Sequence, residues 1–173
     1  FADKYSGELG EKCTDAEKKA GTCTNAKEAL QNAVFFRLGL GDEEKAVEDA
    51  KLFEKSYQRK FPQETSQVNF SLGSIYERQA DWQKVINHYS GFVKKYKKTA
   101  LPHELIQANV NAGRGYLQLD TKDKEAAKLA NKAKAAPYFQ SALNEWQSNK
   151  DSFGSLPVPD ETGVLGVDGF APH

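Results

Sequence analysis

The stretch Asn69-Phe-Ser-Leu-Gly-Ser-Ile-Tyr-Glu-Arg-Gln-Ala-Asp-Trp82, with Val85, Tyr89, Phe92 and Tyr96 after it, decides the fold. Phe70, Leu72, Ile75 and Tyr76 mark one helix. Asp81 then stands where an N-cap belongs, and Val85, Ile86, Tyr89, Phe92, Val93 and Tyr96 follow at helical spacing. A second copy reads Asn109-Val-Asn-Ala-Gly-Arg-Gly-Tyr-Leu-Gln-Leu-Asp120, then Ala126 and Ala130. Asn69/Asn109, Gly73/Gly113 and Tyr76/Tyr116 align at an offset of 40 residues. A third copy lies upstream in Ala33-Val34, Gly41-Asp42, Ala46 and the ending Tyr57-Gln-Arg-Lys-Phe61-Pro62. Gly41 precedes Ala80, at the equivalent turn, by 39 residues. A period near 40 signals stacked helical hairpins.

Working outward, Ala26, Leu30, Ala33, Val34 and Leu38 form a helical stripe that ends at Gly39-Leu-Gly41-Asp42. Asp42 is expected to cap the next helix, which carries Ala46, Val47, Ala50, Phe53, Tyr57 and Phe61 and stops at Pro62. A third pair is expected over Pro102–Gln118 and Lys122–Lys134. Pro137 is then expected in the first turn of a separate final helix through Trp146, with Phe139, Leu143 and Trp146 on one stripe. No segment alternates with period two for long enough to read as a strand.

Leu72-Gly73, Tyr76, Trp82, Val85, Tyr89, Phe92 and Tyr96 resemble a tetratricopeptide repeat. The resemblance covers residues 24–147, as repeats 24–62, 66–99 and 101–135 plus a helix 137–147. It departs from the family in its longer period, in Lys97 where Pro is usual and in Ala112 where Leu is usual. The resemblance implies an all-α, right-handed α-solenoid of about three hairpins, with a C-terminal helix and an ordered tail. In such arrays the glycines of the first helix admit the second helix closely, and Tyr76 fills the groove between them. The first helices line a concave face. Carried over, the groove positions are Gln67, Phe70, Ser74, Glu77 and Arg78 in the second repeat. The third repeat gives Gln107, Val110, Arg114, Leu117 and Gln118, with Asn111 beside them. The first gives Glu28, Gln31, Phe35 and Leu38. A face with Phe35, Phe70, Arg78 and Arg114 suits a peptide or helix with apolar anchors and some acidic character; packing against the next repeat or the tail is the other reading. Arg78→Glu and Arg114→Glu are expected to weaken partner capture and leave the melting temperature nearly unchanged.

Phe1-Ala-Asp-Lys-Tyr5 repeats the chemistry of Phe92-Val-Lys-Lys-Tyr96 and of Tyr57-Gln-Arg-Lys-Phe61. It is expected to be the tail of a preceding repeat in a longer parent array. Residues 1–23 then hold that tail and a polar linker with Cys13 and Cys23, whose Thr14-Asp-Ala-Glu17 matches a capping box. The two cysteines fit a disulfide closing a small loop, about 2–3 kcal/mol in the chain-entropy model, or two free thiols. Residues 148–173 end in a Gly/Pro-rich tail. Phe153, Leu156, Val158, Val164, Leu165 and Phe170 in it are expected to cap the last helix.

The 173 residues carry 24 Lys+Arg against 24 Asp+Glu, which argues against a nucleic-acid binder relying on bulk charge. No apolar run approaches the ~20 residues that cross a bilayer. Three His and two Cys leave little for a transition-metal site, and no P-loop, dinucleotide turn or nucleophile elbow is present. His88, His103 and His173 read as surface residues. Lys94-Lys95-Tyr96-Lys97-Lys98 suits an anionic lipid surface or an acidic partner, or simply a solvated helix end whose cations favour the dipole.

The expected function is therefore a non-catalytic protein–protein scaffold without cofactor. Its helix endings are similar to those of bacterial periplasmic and outer-membrane-associated repeat proteins. A disulfide would agree with that compartment. The resemblance implies an envelope complex of motility, secretion or outer-membrane and cell-wall assembly. The alternatives are a targeting arm of a larger enzyme and a self-associating spacer.

Overall fold

The first two turns show how local chemistry sets the hairpins. Helix α1 (Ala26–Leu40) ends where Gly41 takes a left-handed φ of 79°. Asp42 N then donates to Arg37 O at 2.9 Å and Gly41 N to Leu38 O at 3.3 Å, the paired bonds of a Schellman stop. Asp81 N and Ala80 N bond to Tyr76 O and Glu77 O in the same pattern, both at 3.0 Å, with Ala80 at φ 51°. The alignment of Gly41 with Ala80 is thus an alignment of helix stops.

The computed structural model describes residues 26–122 and 124–153, and these are all-helical with no strand. After α1 come α2 (Glu43–Tyr57), α3 (Pro62–Ser71), α4 (Gly73–Arg78), α5 (Trp82–Tyr96), α6 (Pro102–Gln118) and α7 (Glu125–Asn149), closed by a 3-10 turn at Lys150–Ser152. Helix α1 packs on α2, α5 on both α4 and α6, and α6 on α7. The expected disulfide at Cys13 and Cys23, the expected helix tail Phe1–Tyr5 and the expected cap by the Gly/Pro-rich tail lie outside the described residues, except Phe153 of that cap, which is exposed.

Four local expectations change. Pro62 does not stop α2, which ends at Tyr57; it opens α3, where its missing N–H costs nothing. Asp42 sits at the N-cap position of α2, but its carboxylate pairs with Lys45 Nζ at 3.1 Å. Asp81 does cap α5, accepting from Lys84 N at 3.1 Å. The expected first helix of the second repeat is broken at Leu72. There Ser71 and Ser74 hydroxyls donate to Val68 O and Ser71 O, at 2.7 and 2.8 Å, and compete with the helical ladder.

The fourth is the largest. The expected helices 122–134 and 137–147 are one helix of 25 residues, with Pro137 inside it. Ala- and Lys-rich sequence before Pro137 favours helix strongly enough to run through it. Pro137 is exposed, so water reaches the carbonyl its ring leaves without a donor.

Two buried clusters hold the helices together. One gathers Leu30, Val34, Leu38, Ala46, Ala50, Phe53, Tyr57, Val68 and Ile75. The other gathers Val85, Tyr89, Phe92, Tyr96, Leu105, Ala108 and Ala112. Tyr76 packs against both.

Candidate functional site

Glycines set how closely the helices around the expected groove approach. A Cβ on Gly73 would overlap the Tyr89 ring of α5. One on Gly113 would stand 2.8 Å from Phe139 Cζ of α7, and one on Gly115 2.7 Å from Ile86 Cγ1 of α5. So α6 is clamped on two sides, and its remaining face is uncovered.

That face carries Gln107, Arg114, Leu117 and Gln118, all exposed, and half-buried Val110. These five of the expected groove residues share one helix. Asn111 is buried instead. Its Nδ2 donates to Glu77 Oε1 at 3.1 Å, and the Tyr89 hydroxyl donates to the same oxygen at 2.5 Å. One carboxylate oxygen therefore ties α4, α5 and α6 together. Burial is the first cause that pushes the Tyr89 hydroxyl far above its usual range. The bond to Glu77 adds to it, and the nearby charge of Arg114 opposes it. Tyr89 reads from sequence as plain core; its polar end is visible only once Glu77 and Asn111 are brought beside it.

The other expected positions are taken up differently. Phe70 is a core residue, its ring 5.6 Å from Tyr89 and 5.4 Å from Phe92. Ser74 bonds within its own helix, Leu38 is buried and Gln67 is half-buried. Arg78 Nη1 donates to Leu38 O at 2.9 Å and Nη2 to Glu43 at 3.3 Å, so it closes the end of α1. The expectation that Arg78→Glu spares the melting temperature is thereby corrected: the change would put a carboxylate against a carbonyl and against Glu43. Phe35 is exposed on α1, beside Phe36 at 71% and Leu40 at 84%.

His88 also departs from the surface reading. It is half-buried, its ring 5.6 Å from Tyr76 and 5.1 Å from Tyr89, and burial lowers its pKa. His103 is exposed. Among the described residues no group of three or more His, Cys, Asp or Glu is placed to hold a metal ion, and no helix is long and apolar enough to cross a membrane. Compared with protein-family models, curated proteins and solved structures, the chain matches none.

Proposed function

We propose that this chain is a non-catalytic protein–protein interaction scaffold, a right-handed stack of tetratricopeptide-like hairpins that binds a peptide or helix on its first-helix face. The observation that carries the reading is α6. Its inner side is fixed by Gly113 and Gly115, while Gln107, Val110, Arg114, Leu117 and Gln118 face outward together. A surface held this way loses little freedom on binding. The Glu77–Tyr89–Asn111 node supports the same role by fixing α6 to the hairpin before it. Resemblance of the helix endings to periplasmic repeat proteins, with Cys13 and Cys23 in the linker, supports a bacterial envelope complex as the setting.

The test places a photo-crosslinking residue at Gln107 or Gln118 of the protein and, for comparison, at exposed Lys51 of α2. A discrete adduct from the α6 positions, absent from Lys51 and lost with Arg114→Glu, is the expected result. Equal adducts from all three positions would remove the groove from consideration.

A second reading, self-association, is favoured by α7, where Leu143 and Trp146 stand exposed three residues apart. Light scattering that gives a mass near twice 19.2 kDa would support it.

A further inference from the structure

Two basic runs, separated in sequence by residues 61–93, meet at one edge of the molecule. The end of α2 brings Lys55, Arg59 and Lys60, and the end of α5 brings Lys94, Lys95, Lys97 and Lys98. An ion pair between Lys95 and Glu54 joins the two ends. Among the described residues, Lys55, Arg59, Lys94, Lys97 and Lys98 are exposed and have no ion-pair partner. A helix dipole is satisfied by one or two cations in the last turn. Arg59, Lys97 and Lys98 lie past the helix ends, so the dipole does not account for them. Nor does bulk charge, because the chain is neutral.

Between the two ends lies a recess of about 350 Å³, lined by Gln58, Arg59, Pro62, Lys95, Tyr96 and Thr99. No acidic side chain lines it. Tyr96 is 3% exposed, its hydroxyl shut away from solvent against the Lys95–Glu54 pair, so its ring forms the floor of the recess.

We propose that this edge is a second docking surface, for an acidic peptide segment of a partner protein, with one carboxylate seated in the recess. The Arg59 guanidinium donates to that carboxylate. The flanking Lys94, Lys97 and Lys98 draw in neighbouring Asp or Glu residues and speed encounter. The surface suits a peptide better than a lipid layer. It is concave; its rings Tyr57 and Tyr96 are buried, and the partly buried Phe61 beside them is covered by Lys27 and Lys60.

The experiment measures anisotropy of a labelled ten-residue oligo-glutamate peptide with the full chain. Binding is expected at low salt and should fall steeply by 0.5 M salt. Arg59→Gln, which removes the guanidinium lining the recess, should weaken binding several-fold, up to about tenfold. Lys94→Glu with Lys98→Glu should abolish it, with circular dichroism and melting unchanged. Arg114→Glu should leave it intact, so failure of the groove reading and failure of this one are separate results. Undiminished binding by the Arg59→Gln and Lys94→Glu/Lys98→Glu variants would overturn the proposal. So would tighter association with phosphatidylserine vesicles, or with an oligonucleotide of equal charge, that the peptide does not displace.

Discussion

The second and third hairpins start from matching first helices and end with different second helices. Residues 62–78 and 102–118 keep the 40-residue offset to the residue, and Gly73 and Gly113 occupy the same place in them. On Gly73 sits Tyr89, 16 residues later. On Gly113 sits Phe139, 26 residues later. Leu129, which stands 40 residues after Tyr89, is 69% exposed, against 2% for Tyr89. Ala126 and Ala130, the small residues that align with the repeat, are exposed as well. They offer little area to bury, whereas Tyr138 and Phe139 offer aromatic rings, and burial favours the larger surface. Tyr138 packs 5.7 Å from Tyr116 and Phe139 fills the glycine notch. The third hairpin has therefore slid its second helix by about ten residues. Helix α7, at 25 residues, spans about 37 Å, against about 22 Å for the 15 residues of α5. None of the residues Glu125–Lys134 is buried. A sequence repeat fixes the register of a hairpin only where both helices carry the residues that fill each other's notches.

The comparison can be broken most forcefully at its glycines. Gly73→Ala should cost about 2–3 kcal/mol, since the Tyr89 ring is held by Glu77 and has no room to withdraw. Gly113→Ala should cost about 1 kcal/mol, because half-buried Phe139 can yield at its free end. Urea unfolding of both variants checks the order; equal costs would mean that the two notches are equivalent after all. Next in size is Pro137→Ala, expected to stabilise by about 1–3 kcal/mol if α7 is a single helix. Unchanged or lowered stability would restore two helices meeting at Pro137. The smallest effect concerns the stop shared by the first two hairpins. Ala80→Gly should stabilise by about 1 kcal/mol, because a left-handed φ is strained for Ala and free for Gly. A thermal melt reads this directly, and a loss would show that Ala80 does not hold the φ that Gly41 holds.

Much of the fold was legible in residue spacing. The apolar stripe Ala26, Leu30, Val34, Leu38 is buried as read, and so is Val85, Ile86, Tyr89, Phe92, Tyr96. Three-residue and four-residue spacing reports one buried face, which is what these helices have. Spacing failed at Pro137, where local propensity outweighed a single breaker. It failed again at Lys122–Lys134, where alignment assigned a buried face to a segment with nothing to bury. The expected site was less legible. Sequence places residues on a helix but not the partner each one meets. Arg78 closes a helix end, Phe70 enters the core and Asn111 turns inward to Glu77. What stayed outward from the third helix of the alignment was polar Gln107, Arg114 and Gln118 together with apolar Leu117, because no element packs on that side of α6.

Tyr76 has one further consequence. Because its ring contacts both clusters, opening either hairpin alone strips one side of the same residue. Arg78 adds a second tie across that boundary. The first two hairpins should then exchange their amide protons as one cooperative unit. The overhanging start of α7 exchanges on its own and far sooner, so that protection against solvent would map where the array is continuous and where it has come loose.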